Sequence, residues 1–144
     1  MYATDISKSA LEVAKKNAKL NGVYDKITFI QSDMFESLEN SNLKFDIIIS
    51  NPPYIETEVI PTLQEEVKRE PILALDGGKD GLKFYREIAD NAYKYLNENG
   101  RLLLEIGYNQ KKSVTSILNS INRYKNVKCI KDLSGNDRVI TCEV

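Results

Sequence analysis

The chain contains no histidine and only two cysteines, Cys129 and Cys142, among its 144 residues. The common zinc ligand sets cannot be assembled from that inventory, and no metal is expected. Long apolar runs are absent too. The stretches Phe45 to Ile49 and Leu102 to Leu104 fall far short of the roughly 20 residues that cross a bilayer, and the N-terminus lacks a basic-then-apolar leader. The expected location is cytoplasmic, without a membrane partner. There is also no excess of positive charge: 20 Lys and Arg against 21 Asp and Glu give a formal charge of −1. No basic stripe runs along the chain, which disfavours nucleic acid as a partner. The cysteines are expected on neighbouring strands near the C-terminus; a bridge would be geometrically feasible there, but a reducing compartment is expected to keep the thiols free.

What is present is an ordinary globular composition, 42% hydrophobic and 28% charged, long enough for one domain with a core of its own. Strand and helix patterns alternate. Tyr2 to Thr4 reads as the end of an apolar strand, with Asp5 where the strand gives way to a loop. Ser7 or Ser9 can cap a helix that carries Ala10, Leu11, Ala14 and Ala18 on one face, and Asn21-Gly22 supplies its left-handed stop. Ile27 to Gln31 is a second strand, ending in Ser32-Asp33. Phe45 to Ser50 is a continuous apolar run stopped by Asn51-Pro52-Pro53, the pattern of a strand buried on both faces.

An irregular connection follows from 54 to 79, with Pro61, Pro71, Gly77-Gly78 and a short helix predicted around Thr62 to Arg69. Connections of that length in a compact domain usually carry function. Asp80 is expected to cap an amphipathic helix bearing Leu82, Tyr85, Ile88, Ala89, Ala92 and Leu96, ended by Asn99-Gly100. Then come a strand at Leu102 to Ile106 and a helix from Gln110 to Asn122 presenting Val114, Ile117, Leu118 and Ile121. Strands Val127 to Lys131 and Arg138 to Glu143 close the chain, joined by a turn at Ser134 to Asp137. The order implies an α/β fold with a mostly parallel sheet and an antiparallel C-terminal edge.

Ligands in such sheets bind at the carboxyl ends of the strands, and Asp5, Asp33 and Asn51 fall there. Acidic and amide residues also punctuate strand ends for purely local reasons, so no one of these positions decides the matter. Asn51-Pro52-Pro53-Tyr54 adds more. Two prolines fix two φ angles and remove two N–H donors, leaving the Asn51 side-chain oxygen and the Pro52 carbonyl as a stiff pair of acceptors beside the Tyr54 ring. Such a pair suits a planar NH2 group. Both N–H bonds are held, the nitrogen is aligned with an electrophile, and positive charge developing on it strengthens both hydrogen bonds. No histidine base is needed for that chemistry.

These residues carry a resemblance. The run Asp46 to Ile55 (DIIISNPPYI), Glu70-Pro71, Leu75 to Leu82 (LDGGKDGL) with Tyr85-Arg86, Leu104 to Gln110 (LEIGYNQ) and Asp132 to Arg138 closely resemble the HemK/PrmC family of protein-glutamine N5-methyltransferases. The tetrapeptide is shared with adenine-N6 and guanine-N2 methyltransferases of nucleic acids; the Glu-Pro, Gly-Gly and Glu-Ile-Gly elements single out this family. The resemblance implies a class I, Rossmann-like fold that uses S-adenosyl-L-methionine, releases S-adenosyl-L-homocysteine, and methylates the glutamine of the Gly-Gly-Gln motif in peptide chain release factors. It implies that Asp5 holds the cofactor ribose, that Asp33 and Met34 contact the adenine, and that Asn51 borders both cofactor and substrate. Asn51 and Pro52 would hold the glutamine amide, with Pro53 and Tyr54 packed beside it.

Family members also carry an N-terminal helical domain, then a first central strand and a glycine-rich loop, and no counterpart of these is found in the chain. It is therefore expected to be a single partial methyltransferase domain. Gly77-Gly78 follows Asn51 and reads as a turn and helix lead-in. With the central strand missing, the Tyr2 and Phe45 strands are expected either to pair directly or to associate with a second copy. Two alternatives to the glutamine reading remain open at this stage: methylation of adenine N6 or guanine N2 in nucleic acid, and a catalytically silent fragment or interaction module.

Overall fold

In the first 43 residues the expected caps do what their chemistry dictates. The computed structural model describes residues 1–144, which divide into two units, 1–43 and 44–144. In the first, β1 (Tyr2–Asp5) pairs in parallel with β2 (Thr28–Gln31), and α1 (Lys8–Leu20) connects them. The Ser7 hydroxyl accepts from the Ala10 N–H at 3.2 Å, resolving the choice between the two serines, while Gly22 takes φ +65° just after Asn21. Leu11 and Ala18, seven residues apart on one face, are the buried positions of α1.

The second unit is built on β3 (Phe45–Ser50), followed by two single-turn helices, α2 (Glu65–Lys68) and α3 (Ile72–Leu75), in the long connection. Then come α4 (Lys83–Asn91), β4 (Leu96–Glu105), α5 (Lys111–Ser120), β5 (Lys125–Lys131) and β6 (Asp137–Glu143). The sheet order is β3-β4-β6-β5, with β3 and β4 parallel and the last two pairings antiparallel. β3, β4 and β5 thus run the same way and β6 runs against them, which gives the parallel strands and the antiparallel C-terminal pair that the sequence implied. One face of this sheet, carrying Leu102, Leu104, Ile140 and Cys142, is essentially inaccessible, as are Tyr85, Ile88 and Ala89 of α4 and Val114 and Leu118 of α5. Cys129 and Cys142 lie on the adjacent strands β5 and β6 and are both free.

Three expectations are corrected. Phe45 to Ser50 is not buried on both faces: Ile47 is 56% and Ile49 75% exposed, because β3 is an edge strand and its buried partners line only the opposite face. The helix after Asp80 does not reach Asn99. It begins at Lys83, ends at Asn91, passes through a 3-10 turn at Ala92–Tyr95 and becomes strand at Leu96. Leu96 pairs with Phe45, and Asn97 donates to the Asp46 carboxylate at 2.8 Å, so sheet partners claim residues whose spacing also fits a helix. Asn99, at φ +62°, lies instead within an irregularity of the β3–β4 register. Finally, the Tyr2 and Phe45 strands do not pair directly: β1 is bonded only to β2, and β3 only to β4.

The β5–β6 connection supplies a test of pH dependence. Asp132 accepts from the Ser134 and Asn136 N–H groups, each at 2.9 Å, and from the Arg138 guanidinium at 3.2 Å. The Asn136 N–H above all holds this carboxyl below its ordinary 3.8, and a hydrogen bond from Lys131 lowers Asp137 likewise. A carboxyl depressed in the folded state adds stability above its unfolded pKa and loses it as pH falls through the folded one. The melting temperature is expected to be flat above about pH 5 and to fall below about pH 4. Asp132→Asn should lower the neutral plateau and flatten the acid limb, as read by circular dichroism melts across pH.

Candidate functional site: an acceptor loop held from behind

At the end of β3 the chain turns through Asn51-Pro52-Pro53-Tyr54. Asn51 is exposed, Pro52 is buried, and Pro53 and Tyr54 are half-buried. The prolines set the turn, but they do not hold it in place. That is done by the backbone beyond: the Ile55 N–H donates to the Leu75 carbonyl at 3.0 Å and the Gly77 N–H to the Ile55 carbonyl at 2.8 Å, a one-rung parallel bridge. Asp76 locks the return. Its carboxylate accepts from the Thr57 hydroxyl at 2.7 Å and the Gly78 N–H at 2.9 Å, and those bonds, Thr57 first, lower its pKa.

Two glycines let other backbone reach this loop. A Cβ at Gly77 would stand 2.7 Å from Tyr54 Cα and 2.9 Å from the Pro53 carbonyl oxygen. At Gly81, with φ +67°, it would collide with the Tyr54 carbonyl oxygen and lie 2.8 Å from Gln110 Nε2. Gly78 opens a turn that closes at Gly81, whereas Gly77 is bonded to Ile55 and forms the wall against which Pro53 and Tyr54 pack.

Behind the loop lies a buried amide. Gln110 Nε2 donates to the carbonyls of Tyr54 at 3.0 Å and Gly81 at 3.2 Å, and its Oε1 accepts from the Gly107 N–H at 3.0 Å. The Tyr85 hydroxyl, fully buried, donates to the Glu105 carbonyl at 2.9 Å and lies 3.4 Å from the same Oε1. Burial pushes the Tyr85 phenol far up, with Tyr54 and Glu105 adding to the effect. Sequence reasoning placed Gln110 at a helix start and Tyr85 on a helix core face. Both positions are right, but neither carried a signal of these bonds, because a polar side chain's partner across 56 residues leaves no local pattern.

The remaining candidates sit in the first unit. Asp5 and Asp33 are exposed at the carboxyl ends of adjacent parallel strands, with Met34 beside Asp33 at φ +41°. The Asp5 Oδ1 accepts from the Ser7 N–H at 2.7 Å, which fixes the carboxylate on the helix lead-in. The segment after β2 is gathered around the buried Ser32 hydroxyl, which bonds to the carbonyls of Asp33 and Met34 and accepts from the Ser37 N–H. Gln31 Nε2 donates to the Ile6 carbonyl at 3.0 Å and ties the two strand ends together. Neither Gln31 nor Ser32 was anticipated as a support for this edge.

A family model described as a methyltransferase domain matches residues 1–140. The chain belongs to this methyltransferase-domain family. Among curated methyltransferases it is 46% identical over 139 residues to the release factor glutamine methyltransferase of Agrobacterium fabrum, covering 96% of this chain and 47% of that protein. It is 43% identical over 143 residues to the protein of the same name from Aquifex aeolicus, covering 99% and 50%. The bifunctional methyltransferase of Rickettsia felis is 48% identical over 141 residues, 97% of this chain and 26% of that one. The chain thus spans about half the length of the release factor glutamine methyltransferases that it matches. Among solved structures, a methyltransferase from Pyrococcus furiosus superimposes with a TM-score of 0.71 at 22% identity, covering 99% of this chain and 61% of that one. A methyltransferase complexed with SAH, SMU.776, gives 0.66 at 16% identity, covering 99% and 38%. These structural likenesses establish the S-adenosylmethionine-dependent methyltransferase fold.

Proposed function

We propose that the chain carries the acceptor site for methyl transfer from S-adenosylmethionine to the side-chain amide nitrogen of glutamine, in the Gly-Gly-Gln motif of peptide chain release factors. The observation that carries the reading is the acceptor loop: an exposed Asn51 on a proline turn immobilised by Gly77, Gly81 and Gln110. The names of the relatives support glutamine over other planar nitrogens, and the net charge of −1 favours a protein over a nucleic acid substrate. A cytoplasmic location, where release factors work, belongs to the same proposal.

In this reading the Asn51 side-chain oxygen and the Pro52 carbonyl each accept one N–H of the substrate amide. Tyr54 packs beside its plane, and Pro53 keeps the turn from yielding. An amide nitrogen is a poor nucleophile because its lone pair is delocalised, so alignment and the two strengthening hydrogen bonds are what the loop contributes. The proton displaced when the N–C bond forms belongs to a strongly acidic N-alkylated amide and passes to water without a dedicated base. The cofactor, when bound, supplies an electrophilic methyl group on a sulfonium.

The residues present fit that cofactor. Ribose hydroxyls call for an exposed carboxylate at a strand end, and Asp5 is one, oriented by Ser7. Asp33 and Met34, on the neighbouring strand end, would take the adenine. Asp5→Ala is expected to weaken S-adenosylmethionine binding by about tenfold or more, since hydrogen bonds to a charged group contribute roughly 1.5–3 kcal/mol each. Calorimetric titration of both chains measures it, and equal affinities would remove Asp5 from the site. For the function itself the assay is transfer of labelled methyl to a Gly-Gly-Gln peptide beside an adenine- and guanine-containing oligonucleotide. Label in the oligonucleotide alone would move the reading to nucleic acid. Label in neither would mean that this chain by itself does not catalyse the step.

A further inference from the structure

We propose that Gln110 is the positioning residue of the acceptor loop: its carboxamide sets the height and tilt of Tyr54, and hence of the Asn51 and Pro52 acceptors. The proposal rests on the function assigned above, in which those acceptors hold the substrate amide.

The hydrogen-bond inventory decides the orientation of the side chain. A carboxamide offers two donors and one acceptor oxygen. Here both donors meet carbonyls, Tyr54 and Gly81, and the oxygen meets the Gly107 N–H. Turning the amide over would place oxygen against two carbonyl oxygens and NH2 against an N–H, so only one orientation is satisfied. The residue is only 8% exposed, so a partner lost here leaves a largely buried polar group to be satisfied. It therefore joins three separate segments, the end of β4 at Gly107, the glycine turn at Gly81 and the acceptor loop at Tyr54, by bonds that have no substitute.

Only the bond to Tyr54 concerns the loop directly, and it is the one side-chain hydrogen bond that reaches residues 51–54. Proline has no N–H, so Pro52 and Pro53 cannot be anchored by donation to neighbouring carbonyls. Beyond the backbone bridge at Ile55, the side-chain anchor of the loop therefore falls on an acceptor, the Tyr54 carbonyl. Tyr85 stands behind Gln110 and limits its movement from the helix side. Gly81 is glycine for the same purpose, since a Cβ there would occupy the space through which the amide reaches Tyr54.

The test uses the whole chain labelled with 15N, in wild type, Gln110→Ala and Gln110→Glu. Alanine removes the bonds and the volume. Glutamate keeps the volume and the acceptor, but at neutral pH it has no donors for the two carbonyls. Affinity for a Gly-Gly-Gln peptide is read from amide shift titrations, and local order from hydrogen exchange at Ile55, Gly77 and Gly81, with Leu118 in α5 as the folding control. Both variants are expected to lose about tenfold in peptide affinity, the consequence of an unpaired buried carbonyl. They should also speed exchange at Ile55 and Gly77 while Leu118 stays protected. Recovery of peptide affinity and slow exchange in Gln110→Glu would show that the residue only fills space and would overturn the proposal. So would unchanged exchange at Ile55 and Gly77 in Gln110→Ala. If wild type binds no peptide, the assignment of function fails on its own, and the exchange measurements still judge whether Gln110 holds the loop.

Discussion

Gly81→Ala should destabilise the second unit by about 3 kcal/mol, well beyond what a left-handed backbone position costs alone. At φ +67° any Cβ carries a penalty of roughly 1–2 kcal/mol. Gly135, at φ +84° in the β5–β6 connection, provides the reference, because nothing lies within 4 Å of a Cβ there. The difference between the two alanine variants isolates the collision at Gly81. There the new methyl meets the Tyr54 carbonyl oxygen and Gln110 Nε2, two groups bonded to each other. Neither is free to retreat: one is main chain, and the other is fixed by three partners. Urea denaturation followed by circular dichroism measures both variants. Equal losses would show that the close approach at Gly81 has slack, and would weaken the picture of a loop clamped from behind.

Under the proposed function, Asn51→Ala is expected to do the reverse, sparing the fold and removing methyl transfer. Asn51 is exposed, so its truncation should change stability by no more than about 0.5 kcal/mol. Methyl transfer to a Gly-Gly-Gln peptide should nevertheless fall by about 10²–10³-fold, the range seen when one oriented hydrogen-bonding group at a reacting centre is lost. Single-turnover transfer of labelled methyl with cofactor and the chain in excess over peptide gives the rate directly. A loss below about threefold would leave the Pro52 carbonyl as sufficient acceptor, and the role given to Asn51 would have to be withdrawn.

Local chemistry accounts for what was legible in the sequence. Ser7 caps α1 and Gly22 ends it because both act within a few residues of where they stand. The antiparallel pair at the C-terminus follows from two strand patterns with no helix between them. The break at Asn51-Pro52-Pro53 was legible for the same reason, as a proline turn directly after an apolar strand. Errors arose where a distant partner overrode a periodic pattern. Ala92 and Leu96 continue the spacing of α4, but pairing with Phe45 draws Leu96 into the sheet. Ile47 and Ile49 are apolar without being buried, since an apolar run does not reveal which strand stands at an edge. The supports of the loop were the least legible of all. The Gly77 approach and the Gln110 amide depend on which backbone passes behind Tyr54, and no window of neighbouring residues contains that information.

The fully buried Tyr85 has an optical consequence. The chain has no tryptophan and eight tyrosines, so phenol rings dominate its near-ultraviolet absorbance. Burial pushes the Tyr85 and Tyr124 phenols far above the ordinary range. Of those two, Tyr85 stands one carboxamide away from the Tyr54 carbonyl. The acceptor loop thus rests on a chromophore of the protein's own, dark as phenolate for as long as the packing beneath the loop stays shut.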